Sequence, residues 1–307
     1  MKVRRPRRDD APALVGLLRA ADTAVAGDSD WTLSDLEAEW MDLDLERDAW
    51  VVELDGTIAG YAGFHARGGR LNGDGYVHPD HHGQGIGSEL LRLTEERARE
   101  EEPSIPAGER VYLQNATLND DPATRDFYRS NGYGAVRIFR GMLVDLEGDP
   151  EVPDVPGIVV RSYDHPAQAQ AFHGAHEDGF ASHWEYRPMS WEEWQHRRFS
   201  RENFDPTLWW VALDGDEVAG TCICEQKVDP NQGWVGALAV RPAYRRRGIA
   251  EALLKTAFAE FFRRGESRVG LGVDAESPTG ATRVYERAGM RILWQAVVWE
   301  KEVRPAV

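Results

Sequence analysis

Val240-Arg241-Pro242-Ala243-Tyr244-Arg245-Arg246-Arg247-Gly248-Ile249-Ala250 is the stretch on which the reading of this chain turns. An apolar strand ends at Val240, three arginines follow in a turn, and a helical pattern opens at the glycine. A helix N-terminus leaves its first amide N–H groups without intrahelical partners and carries partial positive charge. Gly248 and Ala250 remove side-chain bulk so that backbone can approach a ligand, while Arg245, Arg246 and Arg247 add charge around the turn. A pyrophosphate fits such a cradle. No Lys-Ser/Thr pair follows the glycine, as a Walker loop requires, and Gly-x-Gly-x-x-Gly is absent. Taken alone, the same residues would also suit an ordinary strand-to-helix turn with a basic corner.

The pattern occurs twice. Tyr76-Val77-His78-Pro79-Asp80-His81-His82-Gly83-Gln84-Gly85-Ile86-Gly87 leads into a helix whose apolar face carries Ile86, Leu90 and Leu93. Trp50 to Gly56 returns as Trp209 to Gly215, 159 residues later, and the offsets are 160 for Gly60 and Gly220, 163 for Val77 and Val240, and 157 for Tyr128 and Tyr285. Small drifts place the insertions in loops. Leu146 to Gly157 holds Pro150, Pro153 and Pro156 with no helical period, which predicts domains over 1–146 and 158–307 joined by a linker at 147–157. Thr32 and Ser190 are expected to cap helices, the latter with Glu193 as a capping box, and Tyr133 to Val144 to close the first sheet.

Arg245, Gly248 and Ala250, preceded by Val240-x-Pro242, resemble the acetyl-CoA loop of the GNAT superfamily of N-acetyltransferases, and both halves carry the likeness. The resemblance implies an α/β (α+β) fold of two tandem GNAT domains, each a mixed, mostly antiparallel central sheet flanked by helices. It implies acetyl-CoA as cosubstrate, without a metal, held by Leu238, Ala239, Val240, Arg245, Arg246, Arg247, Gly248, Ile249 and Ala250 in the second half. In the first half the matching positions are Val77, His82, Gly83, Gln84, Gly85, Ile86 and Gly87, with His82 where Arg or Gln is usual.

Asp274 to Met290 looks like the family's second motif. There Tyr285, matched by Tyr128 in the first half, would protonate the departing CoA thiolate. Ser277 stands where Asn is common and would touch the pantetheine arm. The oxyanion donor would come from Ala237 to Val240. Glu225, Asp274 and Glu276 are the carboxylates near the strand ends that could serve as base, and Glu225 and Glu276 join Tyr285 as the expected catalytic set. His82, and the lack of an acid beside Asn115, imply that the first half is silent or weaker and the C-terminal half active.

Tandem halves of this kind are similar to the mycothiol synthase-like members, although Trp234 stands where those carry a Glu. The expected activity is acetyl transfer to a primary amine by direct attack, on a small molecule or a peptide. Acetylation of a thiol-sugar amine, or an acetyl-CoA-binding sensor without chemistry, are the alternatives.

Composition narrows the partners. With 52 acidic against 36 basic residues the formal net charge is -16, which disfavours nucleic-acid or anionic-membrane binding and favours a cationic substrate at long range. Cys222 and Cys224 are the two cysteines, on one face of a strand, and are expected as buried free thiols. His78, His81 and His82 lie on one turn without a second cluster, so no metal is expected. Neither an apolar leader after Met1-Lys2-Val3-Arg4-Arg5 nor a long hydrophobic run is present, and a cytoplasmic location is the expectation.

Overall fold

The computed structural model describes residues 1–27, 29, 31–119, 121–199, 204–227 and 232–306. In chain order it runs β1 (Lys2–Arg4), α1 (Ala11–Ala26), α2 (Leu33–Met41), β2 (Ala49–Leu54), β3 (Thr57–Arg67), β4 (Arg70–Val77), α3 (Ile86–Glu101), β5 (Val111–Leu118), α4 (Pro122–Ser130) and β6 (Gly134–Asp145). The same order then returns as β7 (Val159–Ser162), α5 (Ala169–Phe180), α6 (Trp191–Phe199), β8 (Trp209–Asp214), β9 (Glu217–Lys227), β10 (Gln232–Val240), α7 (Ile249–Arg263), β11 (Arg268–Asp274), α8 (Ala281–Arg287) and β12 (Arg291–Arg304). This is the mixed, mostly antiparallel sheet with flanking helices, in two copies.

The compact units do not follow the linear halves: one is Met1–Ile138 with Trp294–Val307, the other Phe139–Leu293. In the first, β1 to β4 pair antiparallel in order, β5 lies parallel to β4, and β12 completes the sheet from Ala296↔Leu118 to Arg304↔Val111. In the second, β7 to β10 pair antiparallel, β11 lies parallel to β10, and β6 is its last partner from Arg268↔Asp145 to Asp274↔Phe139. Each unit therefore takes a strand from the far end of the other half, and Tyr133 to Val144 does not close the first sheet as the repeat suggests. Strand alternation specifies which face is buried but not which sheet edge is chosen, so the exchange is invisible in the repeat.

Register also corrects one equivalence. Trp50 pairs with Ala62 and Val52 with Gly60, while Trp210 pairs with Cys222 and Ala212 with Gly220. It is Trp210, not Trp209, that holds the place of Trp50.

Both faces of each sheet are covered. In the first unit Leu14, Leu18, Leu36 and Trp40 of α1 and α2 pack on Val51 and Tyr61, and Ile86, Leu90 and Ala98 of α3 pack on Val52, Phe64 and Leu71. Neighbouring strand residues alternate between the two clusters, as a pleat requires. In the second unit Leu253, Ala257, Phe258 and Phe261 of α7 and Phe172 and Trp194 of α5 and α6 join one core with Val211, Cys222 and Val235. Thr32 caps α2 by accepting from the Asp35 N–H at 3.1 Å, and Ser190 Oγ accepts from the Glu193 N–H at 3.2 Å. Cys222 and Cys224 are free and buried, their sulfurs 3.5 Å apart.

Two departures from regular pairing shape the second unit. Gly236 is an extra residue in β10, a bulge between Val235, which faces Cys224, and Ala237, which faces Ile223. The β10–β11 ladder runs only from Gly233↔Val269 to Val235↔Leu271, after which the two strands separate. The first unit parts in the same way beyond Asn72↔Gln114, but its β3–β4 pairing has no bulge.

The core of the second unit contains a titratable weak point. His176 is 6% exposed, between Phe180 at 4.6 Å and Trp194 at 4.7 Å between ring centroids. Burial first, then the nearby Arg198 and His173, pull its pKa down to about 3. The unfolded chain binds that proton near pH 6.5 and the folded chain does not, so stability falls as pH drops from about 6.5 toward 3, by about 1.4 kcal/mol per pH unit in mid-window. His176→Phe keeps the ring and should flatten this part of the profile. Urea midpoints of wild type and variant at pH 7, 5 and 4 measure it, and parallel losses in both would refute the assignment.

Candidate active site

Where β10 and β11 part, a cavity of about 940 Å³ opens in the second unit. Its floor is Val235 to Leu238 and Leu271 to Asp274, and its mouth is the turn from Tyr244 to Glu251. Beyond Val235 the β10 backbone groups that point away from β9 have no ladder partner, and they face this space.

The turn ahead of α7 is left-handed at two positions. Arg246 (φ 65°) and Gly248 (φ 86°) are both left-handed, which turns successive N–H groups inward as a nest ahead of α7. Gly83 (φ 75°) and Gly85 (φ 81°) repeat this ahead of α3, and His82 (φ -60°, ψ 151°) has the backbone of Arg245 (φ -65°, ψ 155°). Ile86 and Ile249, each 1% exposed, anchor the two helices at this end. Val77 packs partly buried beneath the first turn, Gly87 lies where a Cβ would meet Val77 Cγ2 at 3.7 Å, and Gln84 is exposed with its Nε2 3.5 Å from His81 Nδ1.

The three arginines of the second turn divide their work. Arg245 donates through Nε to the Val240 carbonyl at 3.2 Å and through an Nη to the Gly179 carbonyl at 2.9 Å, so it ties the end of α5 to the turn. Arg247 is turned to Asp214 at 3.3 Å, over the Tyr244 ring, and is not part of the cavity wall. Arg246 lines the cavity, with no hydrogen bond or ion pair among the described residues. Leu238, Val240, Ile249, Ala250 and Ser277 also line it, whereas Ala239 is buried below it. Two cations absent from the sequence reading join them, Arg283 and Arg287 of α8, the latter 3.4 Å from Glu251. Their i,i+4 spacing around Tyr285 was the signal available.

Of the acid–base candidates, Tyr285 lines the cavity at 7% exposure, and burial pushes its phenol pKa up, with a smaller contribution from Cys222. Its hydroxyl has no hydrogen-bond partner among the described residues. Glu225, beside Trp234 on the neighbouring strand, and Glu276, exposed after β11, lie outside the cavity wall. Asp274 lies within it: the carboxylate is 2% exposed and accepts from the Glu276 N–H at 2.9 Å. Phe139, Phe180 and His183 add an aromatic side that sequence reading missed, because Phe139 reaches it from β6.

In the first unit Tyr128 is 7% exposed and stacked on Trp299 at 5.5 Å, its pKa likewise raised by burial. Among the described residues no group of three His, Cys, Asp or Glu side chains is placed to hold a metal ion, and no helix is long and apolar enough to cross a membrane.

Comparison with known proteins agrees with this geometry. The sequence model of the acetyltransferase (GNAT) family matches residues 176–290, and that of an acetyltransferase (GNAT) domain matches 46–134. The crystal structure of a GCN5-related N-acetyltransferase from Sphaerobacter thermophilus is 34% identical, with a TM-score of 0.90 over 100% of this chain and 96% of that one. A tandem GNAT protein from the clavulanic acid biosynthesis pathway shares the fold at 18% identity, TM-score 0.73, over 100% and 99% of the two chains. The mycothiol acetyltransferase of Streptomyces scabiei is 28% identical over 219 residues, 69% of this chain and 66% of that protein. With a GNAT match in each half and a relative aligned along its whole length, the chain belongs to the GNAT superfamily of N-acetyltransferases.

Proposed function

We propose that the chain is an acetyl-CoA-dependent N-acetyltransferase whose C-terminal site moves an acetyl group to a primary amine by direct attack. The observation that carries this reading is the coincidence, in one cavity, of a left-handed turn, four arginines and a buried tyrosine whose hydroxyl has no partner among the described residues. The cavity residues fit a pyrophosphate-bearing thioester: Arg246, Arg283 and Arg287 supply charge, the nest supplies N–H donors, and Gly236 to Leu238 supply unpaired backbone beside the splay.

Chemically, the amine must arrive neutral, its nitrogen forming the new C–N bond as the C–S bond breaks. Asp274 is the buried carboxylate positioned to attract the ammonium form and take its proton, and Tyr285 delivers a proton to the leaving sulfur. The unpaired β10 N–H groups are the donors available to the oxyanion. The relatives named mycothiol acetyltransferase favour, as a second reading, an amine on a thiol-bearing sugar; Trp234, in the place of the expected Glu, argues for another acceptor.

Three variants test the proposal. Gly248→Asp places a Cβ in left-handed backbone and a negative charge at the helix start, so calorimetry should record acetyl-CoA affinity down by about 10-fold or more. Unchanged affinity in the folded variant sinks the cradle assignment. Tyr285→Phe should lower kcat by about 10- to 1000-fold with little change in acetyl-CoA affinity, and wild-type turnover from pH 6 to 9 would hand the role to another group. Asp274→Asn should lower kcat/KM for the amine by about 10- to 100-fold while leaving KM for acetyl-CoA in place. A loss confined to the acetyl-CoA KM would make Asp274 a donor-side residue instead.

A further inference from the structure

We propose that the acceptor of the C-terminal site is an aromatic primary amine, its ring held by Phe139, Phe180 and His183 and its ammonium group by Asp274. The inference rests on the reading of that site as an acetyl-CoA-dependent N-acetyltransferase, and it supplies the substrate class.

The pleat places the acid and the first ring together. A Cβ on Gly233 would meet the Phe261 ring of α7 at 2.6 Å, so the next residue, Trp234, points away from α7. A Cβ on Gly270 would meet the Trp234 ring at 2.8 Å, which puts Gly270 on that same face, and Gly272 and Asp274 follow it along β11 at intervals of two. In the β11–β6 ladder Asp274 is directly opposite Phe139, and Gly272 is opposite Gly141. Directly opposed residues share a face, with Cβ atoms about 5 Å apart. A buried carboxylate and a phenyl ring thus stand side by side, and both line the cavity.

Phe139 is one part of a longer aromatic surface. Its ring centroid is 6.0 Å from that of Trp184, and the Trp184 carbonyl is 3.1 Å from His183 Nδ1. The His183 ring is 5.6 Å from Phe180, which His176 backs at 4.6 Å. Phe180 and His183 line the same cavity. The end of α5 brings them to this face, pressed so close that a Cβ on Gly179 would meet Ala239 Cβ at 2.7 Å. Beside Asp274 and Phe139 the floor is bare: a Cβ on Gly272 would meet nothing within 4 Å, and Gly141 opposite has no side chain either. Trp234 covers Gly270, the next position along that face.

Such a wall selects a ring over a sugar. A sugar amine brings several hydroxyls, each of which needs a partner where water is excluded. Among the described residues, hydroxyls of the wall are already bonded: Ser277 with Thr279 at 2.8 Å, Tyr244 with Glu217 at 2.9 Å, and Ser182 with Arg245 at 3.5 Å. Phe139, Phe180 and His183 instead offer faces and edges to another ring, and a ring face also attracts an ammonium group. Because Asp274 and Phe139 are cross-strand neighbours, the amine sits on a short arm, one or two carbons from the ring. In the transfer the ammonium gives one proton to Asp274 and on to solvent. Its nitrogen forms the C–N bond as the C–S bond breaks, the Tyr285 proton goes to sulfur, and the second proton shed by nitrogen restores Tyr285.

The test measures acetyl transfer by the full chain to phenethylamine, glucosamine and spermidine. The kcat/KM for phenethylamine is expected to exceed that for either other amine by about 100-fold. Gly272→Val fills the bare floor with a residue that strands favour, and Phe139→Leu removes the ring while keeping an apolar side chain. Each should raise KM for phenethylamine by about 10-fold or more and leave acetyl-CoA affinity in place. Calorimetry of phenethylamine binding to the CoA-saturated wild type and both variants gives a readout free of turnover, with weaker binding expected in the variants. Absence of phenethylamine binding to the wild type, transfer to glucosamine or spermidine at an equal or greater kcat/KM, or KM and binding indifferent to both substitutions overturns the proposal. Failure of the acetyltransferase reading shows separately, as Gly248→Asp leaving acetyl-CoA binding intact.

Discussion

Everything at the C-terminal site depends on a ladder that stops. Parallel strands β10 and β11 share three residue pairs and then separate, and the bulge at Gly236 turns β10 away at that point. Continued pairing would have spent the β10 N–H groups on β11 and left no room for a ligand. Because pairing ends, the sheet acquires polar backbone in a low-dielectric cleft, where such groups act strongly on a developing charge. The α7 helix start then faces the same space, with Ile249 buried to hold it there.

The charge arrangement follows from that opening. Arginines from the turn and from α8 line the cavity together with the buried Asp274. A chain of net charge -16 draws cations at long range. Arg245, besides lining the cavity, holds α5 against the turn through its bonds to two backbone carbonyls.

The two units share backbone more closely than chemistry. Their nests have matching left-handed residues and their parallel pairs part at matching places, yet Asp74 answers to Ala237, and Trp299 is stacked on Tyr128 in the first unit.

The sequence by itself determined the elements and their repeat. Helix faces, caps and the doubled strand-turn-helix are written in local period and spacing, and local rules carry them, whereas Tyr285 was named only through the likeness to the family's second motif. The acceptor side was not legible. Phe139 reaches the cavity only after β6 has paired with β11, and no pattern within β6 names its partner. Arg247 left the cavity for Asp214, and Glu225 and Glu276 fell outside it, because a side chain's direction depends on bulge and register rather than on nearness in the chain. The exchange of β6 and β12 was decided by tertiary structure alone: both pairings are long-range, and the sequence records only the faces that pair.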